Sequence, residues 1–228
     1  MLHFHIITLF PESIEPYLAS SILGRAQKDK KIKVSFYDPK KFTRLRQGFG
    51  GQARSQDERV DRKPYGGGPG MVLRPEPILR AAEKAVGKKR ATKLFFSTDG
   101  AELNEAFAKK LSKQKDILLV CGHYEGVDER VAKILRAKKV SVGPYVLTGG
   151  ELPAATLIDA VSRFVPGVLG KAESLEHSRV SSPEVYTRPE VLQWKGKKYK
   201  VPKVLLSGNH AKINEWKTKR GKSVKPRH

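Results

Sequence analysis

Between residues 117 and 164 the chain repeats one event: a short apolar run stops at glycine, and a polar loop or helical pattern follows. Ile117, Leu118, Leu119, Val120 and Cys121 end at Gly122, and His123, Tyr124, Glu125 and Gly126 lead into a helical stretch over 127–135. A second run, Val140-Ser141-Val142, breaks at Gly143-Pro144. It restarts over 145–147 and breaks again at Thr148-Gly149-Gly150, ahead of a helix predicted from Glu151 to about Phe164. Strands and helices alternating at this spacing build an α/β fold, a largely parallel sheet with helices on both faces. In such sheets ligands sit at the carboxyl ends of strands, where glycines admit close backbone approach and helix N-termini present free N–H groups. The stretch has no Gly-x-Gly-x-x-Gly fingerprint and no Walker lysine loop, which argues against an ordinary dinucleotide or nucleoside-triphosphate site.

The same alternation extends through the first 168 residues. Residues 2–9 read as a strand stopped at Pro11, 13–28 as a helix, 32–37 as a second strand, 74–86 as a helix, 92–97 as a strand and 104–111 as a helix. His3 and His5 are read as strand positions, because no carboxylate or cysteine stands at ligand spacing near them, and no metal ligand set is read anywhere. Residues 43–63 carry glycine, glutamine and arginine without an apolar period and are read as a mobile basic loop. The turn that follows, Pro64 to Gly70 with three successive glycines, is either a flexible turn or a nest of N–H groups for an anion.

Charge points to the partner. The formal net charge is +22 over 228 residues, and positive charge of that size drives salt-sensitive binding to phosphate backbones. From residue 195 to the end, twelve Lys or Arg face one acidic residue, Glu215, and stand among Trp194, Tyr199 and Trp216. Basic residues beside aromatics suit phosphate contact and base stacking. Residues 169–184 read as a linker or lid and 185–228 as a small basic helical domain, with a helix over 211–220. No apolar run approaches the ~20 residues that span a bilayer, and residues 1–12 lack a signal pattern, so a cytoplasmic protein without a membrane partner is expected. One cysteine, Cys121, excludes an intrachain disulfide and any cysteine-rich zinc site, and its position at a strand end reads as a small core residue.

The segments GHYEGVDERV from Gly122, GPYVLTGGELPA from Gly143 and IDAVSRFVPGVLG from Ile158 resemble the bacterial tRNA (guanine-N1)-methyltransferase family, of the SPOUT trefoil-knot superfamily. PYGGGPGM from Pro64, YTRPE from Tyr186 and VPKVLLSGNHAKI from Val201 match the same family in the same order, so the resemblance spans nearly the whole chain. It implies a C-terminal trefoil knot in the first domain. It implies a homodimer whose sites are each built from two subunits, with tRNA rather than DNA as partner. The reaction implied is methyl transfer from S-adenosylmethionine to N1 of the guanosine at tRNA position 37, next to the anticodon.

Residue by residue, the resemblance assigns the cofactor to Phe95, Ser97, Gly122, Tyr124, Val142 and Gly143, and further to Tyr145, Leu147, Gly149, Gly150 and Pro153. It lays Asp61, Tyr65, Gly66, Gly67 and Gly68 against the target nucleotide; relatives commonly carry two adjacent acidic residues where this chain has Asp61-Arg62. Compared with the family, the basic loop is about ten residues longer, roughly 46–56, as surface loops tolerate. Relatives also continue in helix past the C-terminal residues, so the second domain reads as shortened. Mg²⁺ is reported for the family, and no carboxylate cluster in the sequence announces a site for it.

The chemistry sets the demands. Guanine N1 bears a hydrogen, so methylation requires a base at N1, a donor for charge developing on O6, and the methyl group in line about 3 Å away. Glu125 matches the family glutamate that reads the guanine edge, and a carboxylate accepting two N–H bonds selects guanine over adenine. Arg163 matches the family arginine at the target base and can donate to O6. The family's lid aspartate is absent: His177 and Glu176 stand in its place, and either can serve as the base. Two other readings stay open, a knotted methyltransferase acting on ribosomal RNA and an RNA-binding member without catalysis.

Overall fold

The computed structural model describes residues 1–43, 59–169 and 184–221 of the chain. Two compact units emerge, Met1–Leu169 and Gly170–His228.

The first unit is organised on five strands: β1 (Leu2–Ile7), β2 (Ile32–Tyr37), β5 (Thr92–Glu102), β6 (Asp116–Val120) and β7 (Lys138–Ser141). They pair in the order β2-β1-β6-β5-β7, every pairing parallel. A short antiparallel pair, β3 (Asp61–Arg62) with β4 (Val72–Leu73), stands apart from this sheet. All five residues of β6 are buried, because a central parallel strand is covered on both faces and carries an unbroken apolar run.

The pleat divides the core in two. Phe4, Ile6, Ile117 and Leu119 face one side with Leu23 and Ala26 of α2 (Ser21–Lys28) and Leu157, Ile158 and Val161 of α6 (Glu151–Ser162). Ile7, Leu118 and Val120 face the other with Ile78, Ala81 and Ala85 of α3 (Pro75–Val86) and Val131 of α5 (Arg130–Leu135). Pro75 at the first position of α3 and the positive φ of Gly87 just past its end fit the usual asymmetry of helix termini. α4 (Glu105–Leu111) starts at Asn104, whose side chain accepts from the Phe107 N–H at 2.9 Å. Buried polar side chains gather at the amino ends of β1 and β6. There burial first, then His5 and Lys33, bring the pKa of His3 down to about 4, and burial lowers that of His5.

Several sequence expectations are redrawn. The helix expected over 13–28 is a 3-10 turn at Pro11–Ser13, then α1 (Glu15–Leu18), then α2, because Ser20 is extended. The break is bridged by Gln27, whose Nε2 donates to the Leu18 carbonyl at 2.7 Å. Residues 145–147 form no strand; they are loop, with the Tyr145 hydroxyl donating to the Val142 carbonyl at 3.2 Å. β5 runs five residues further than expected, its pairing with β7 shifting register between Phe96 and Ala101. The expected loop over 43–63 contains β3, and its residues 44–58 lie outside the described residues.

In the second unit β8 (Val191–Trp194) and β9 (Lys197–Lys200) form an antiparallel hairpin, followed by α7 (Lys203–Leu206) and α8 (His210–Gly221). The hairpin is an addition to the helical pattern expected there. The Tyr186 and Trp216 rings lie 6.4 Å apart. Among the described residues no helix is long and apolar enough to cross a membrane.

Candidate functional site

At the carboxyl ends of β6 and β7, and beside the middle of β5 where its register shifts, the three glycine-bearing loops line a cleft of about 260 Å³. Every residue that the sequence assigned to the cofactor lines it except Phe95. Phe95 is buried in the α3-side core, and its neighbour Phe96 lines the cleft instead, since successive residues of a strand point to opposite faces. Tyr124 and Tyr145 stand on its walls with about half their surfaces open, at 50% and 54% exposure, so a planar aromatic group can reach either ring. Tyr124 holds a left-handed backbone, φ +58°, which non-glycine residues adopt only where the surroundings fix it.

The floor of the cleft is a close backbone crossing. The Gly150 N–H donates to the Gly122 carbonyl at 2.8 Å, and His123 bridges to Gly149. A Cβ at Gly150 would lie 2.5 Å from Cys121 Cα, so only glycine permits this approach. Cys121 beneath it is buried, and burial, reinforced by the Glu151 carboxylate, pushes its thiol well above the usual range, which removes it as a nucleophile.

Glu151 opens α6 and is itself buried, accepting from the Thr8 hydroxyl at 2.6 Å. Negative charge at a helix N-terminus is stabilised by the helix dipole, which suits a buried carboxylate there. Its other oxygen lies 3.9 Å from His123 Nδ1, a buried nitrogen with no hydrogen-bond partner. The His123 ring lies between those of Phe10, at 4.7 Å, and Tyr124, at 4.8 Å. Sequence reasoning assigned no role to His123, Glu151 or Thr8. An acidic residue directly after a Gly-Gly strand end was the available signal for Glu151.

Glu125 lines the cleft and is tied to the glycine-rich turn. Its N–H donates to the Met71 carbonyl at 3.0 Å, the Leu73 N–H donates to Gly126 and the Asp128 N–H to Leu73, both at 3.0 Å. Gly70, at φ +74°, passes so close that a Cβ would lie 2.4 Å from Glu125 Oε1. Tyr65 is fully exposed, and Gly66, Gly67 and Gly68 all have positive φ with open space beside them, so this turn is free to meet a large ligand. Asp61 lies on β3 with Arg59 Nε 3.4 Å from its carboxylate.

Arg163 is not brought to the cleft. It caps the C-terminus of α6, the end opposite Gly150, and the twelve helical residues between them span about 18 Å. Glu176 and His177 lie outside the described residues.

The cleft fits a nucleoside-sized cofactor, with a side-chain-free floor at Gly122, Gly149 and Gly150 and aromatic walls for a base. It does not fit a magnesium cage: among the described residues the carboxylates here are Glu125 at the wall and Glu151 behind the floor, the latter already bonded to Thr8.

The family described as tRNA (Guanine-1)-methyltransferase TrmD matches residues 2–227. The chain is 41% identical to the tRNA (guanine-N(1)-)-methyltransferase of Pseudoalteromonas atlantica over 222 residues, 95% of this chain and 78% of that relative. The enzyme of the same name from Clostridioides difficile is 40% identical over 223 residues, 95% of this chain and 90% of the relative. That from Klebsiella pneumoniae is 42% identical over 221 residues, 94% and 81%. Matched over almost its whole length, this chain belongs to the tRNA (guanine-1)-methyltransferase family TrmD.

Proposed function

We propose that the chain methylates N1 of guanosine in tRNA, at position 37 beside the anticodon, using S-adenosylmethionine held in the cleft at the ends of β6 and β7. The observation that carries this reading is the bonding of the Glu125 loop to the segment that follows the exposed glycine turn, which sets that open turn beside the cleft. When bound, S-adenosylmethionine supplies an electrophilic methyl group. The chain's own residues do the rest. Glu125 accepts N–H bonds from the guanine edge and rejects adenine, whose N1 is a bare lone pair. Arg163 donates to O6, which favours loss of the N1 proton. Glu176 or His177 takes that proton as the N1–methyl bond forms and the sulfur–methyl bond breaks.

The separation of Arg163 from the Glu125 cleft supports a homodimer, since a second copy can bring its Arg163 and its 170–183 segment to the first copy's cleft. The trefoil threading of residues 118–170 and a cytoplasmic location go with the same reading.

The test is labelled methyl transfer to two tRNA transcripts that differ only in guanosine or adenosine at position 37, with the modified base located by a reverse-transcription stop. Transfer to the guanosine transcript alone is expected. His177→Ala and Glu176→Ala in the same assay identify the base by which one flattens the pH profile, and full activity in both removes these two residues from the mechanism. Stops elsewhere, or transfer to ribosomal RNA only, would replace the reading with another RNA substrate, and tRNA binding without transfer would make the chain a noncatalytic member.

A further inference from the structure

At the amino ends of the strands, the opposite end of β6 from the cleft, the parallel register assembles a cluster that no sequence spacing announces. His3 and His5, two apart on β1, point to one face, and the register sets His3 opposite Asp116 of β6. His5 Nε2 lies 2.9 Å from Asp116 Oδ1, His3 Nδ1 lies 3.9 Å from the same oxygen, and the three ligand atoms are all within 4.8 Å of one another. The two outward nitrogens are each held by a hydroxyl: His3 Nε2 by Ser35 Oγ at 2.9 Å and His5 Nδ1 by Tyr37 OH at 3.2 Å, both from β2.

We propose that His3, His5 and Asp116 form a site for a divalent metal ion of the zinc type. Three features of the geometry carry this. Two imidazoles and a carboxylate are a zinc donor set, with a fourth position left for water. The side chains are only slightly exposed, 15% for His3, 1% for His5 and 10% for Asp116, which leaves a narrow approach from solvent. The outer nitrogens are each bonded to a hydroxyl, the arrangement that orients ligating histidines.

The spacing of the inner atoms bears on how an ion would be held. In the tautomer that turns its Nε2 proton to Ser35, His3 presents the Nδ1 lone pair toward Asp116, which is the form a metal ion engages. Metal–ligand bonds of about 2.0–2.1 Å at tetrahedral angles separate donor atoms by roughly 3.3 Å, which lies between the 2.9 and 3.9 Å found here. The third pair, His3 to His5, lies within 4.8 Å, so side-chain rotation must draw the two imidazoles together for a metal ion to be held. Lys33 and Lys89 are near enough to act on both rings, so this site binds less tightly than a closed structural zinc site. The cluster is separated from the cleft by the length of β6, about 17 Å, so its occupancy pins β1 to β6 without touching the methyl-transfer chemistry.

The test is titration of the full-length protein with Zn²⁺ against a chromophoric chelator, repeated with Co²⁺ for its visible spectrum. One ion per chain is expected, with a Co²⁺ spectrum free of thiolate bands and a rise in thermal midpoint on Zn²⁺ addition. His3→Asn should abolish that stoichiometric binding, and Ser35→Ala, at a position that is no ligand, should weaken it about 10- to 100-fold. Methyl transfer by both variants should stay at the wild-type rate, which shows that they are folded. Absence of stoichiometric binding in the wild type, or equal binding in His3→Asn, overturns the proposal and leaves the cluster as a hydrogen-bonded His–Asp pair.

Discussion

Two residues carry the sharpest consequences at the cleft. A methyl group at Gly150 would sit 2.5 Å from Cys121 Cα, a contact with backbone that no rotamer relieves. Gly150→Ala is therefore expected to lower stability by about 1–3 kcal/mol, the range for overpacked sites, and to abolish S-adenosylmethionine binding. Thermal unfolding and calorimetry read the two effects separately. Glu125→Gln keeps the shape but exchanges a double acceptor for a mixed donor and acceptor. Methyl-transfer kcat/KM for tRNA should fall about 10- to 100-fold, consistent with loss of a charged hydrogen bond, while affinity for the cofactor stays unchanged. The glycines and Glu125 were legible because a polar loop at a strand end carries its own signal, whereas Tyr124 came to the cleft through the family resemblance. Phe95 and Phe96 are equivalent in sequence, and only the phase of the pleat decides that the second lines the cleft. Asp116 was invisible as a partner of His3 and His5 because register alone brings it there, from more than a hundred residues away.

At the scale of elements, the alternation of apolar runs and helical periods located all five strands of the main sheet and α3, α4 and α6, since each buries a continuous face. What it missed follows from local geometry. A four-residue spacing of apolar positions continues across Ser20, so α1 and α2 read as one helix. The β8–β9 hairpin had a partial signal that went unused: Lys195-Gly196 follows the β-prone Val191–Trp194, and at φ +48° and +74° the pair has the geometry of a two-residue turn. α4 offers a clean check on energetics. Asn104→Ala removes the side-chain acceptor of the Phe107 N–H and should destabilise the first unit by about 1 kcal/mol, read as a lower urea midpoint at unchanged slope. Methyl transfer should be unaffected, because no residue of α4 lines the cleft.

For the molecule as a whole, a charge of +22 makes substrate binding an electrostatic event with a salt signature. If about six phosphates are neutralised, tRNA affinity should fall about 10³-fold between 50 and 200 mM salt, whereas binding of S-adenosylmethionine in the cleft should barely change. Filter binding and calorimetry over a salt series distinguish the two. The strand order has a consequence in time. β1 is made first yet lies between β2 and β6, and His3 meets its β6 partner only once Asp116 exists. At roughly 5–20 residues per second, the ribosome leaves one side of that strand open for roughly 6–20 s. Throughout this wait the apolar face of β1 is exposed to chaperones and to other nascent chains, so the yield of active protein depends on how fast the stretch up to residue 120 is synthesised.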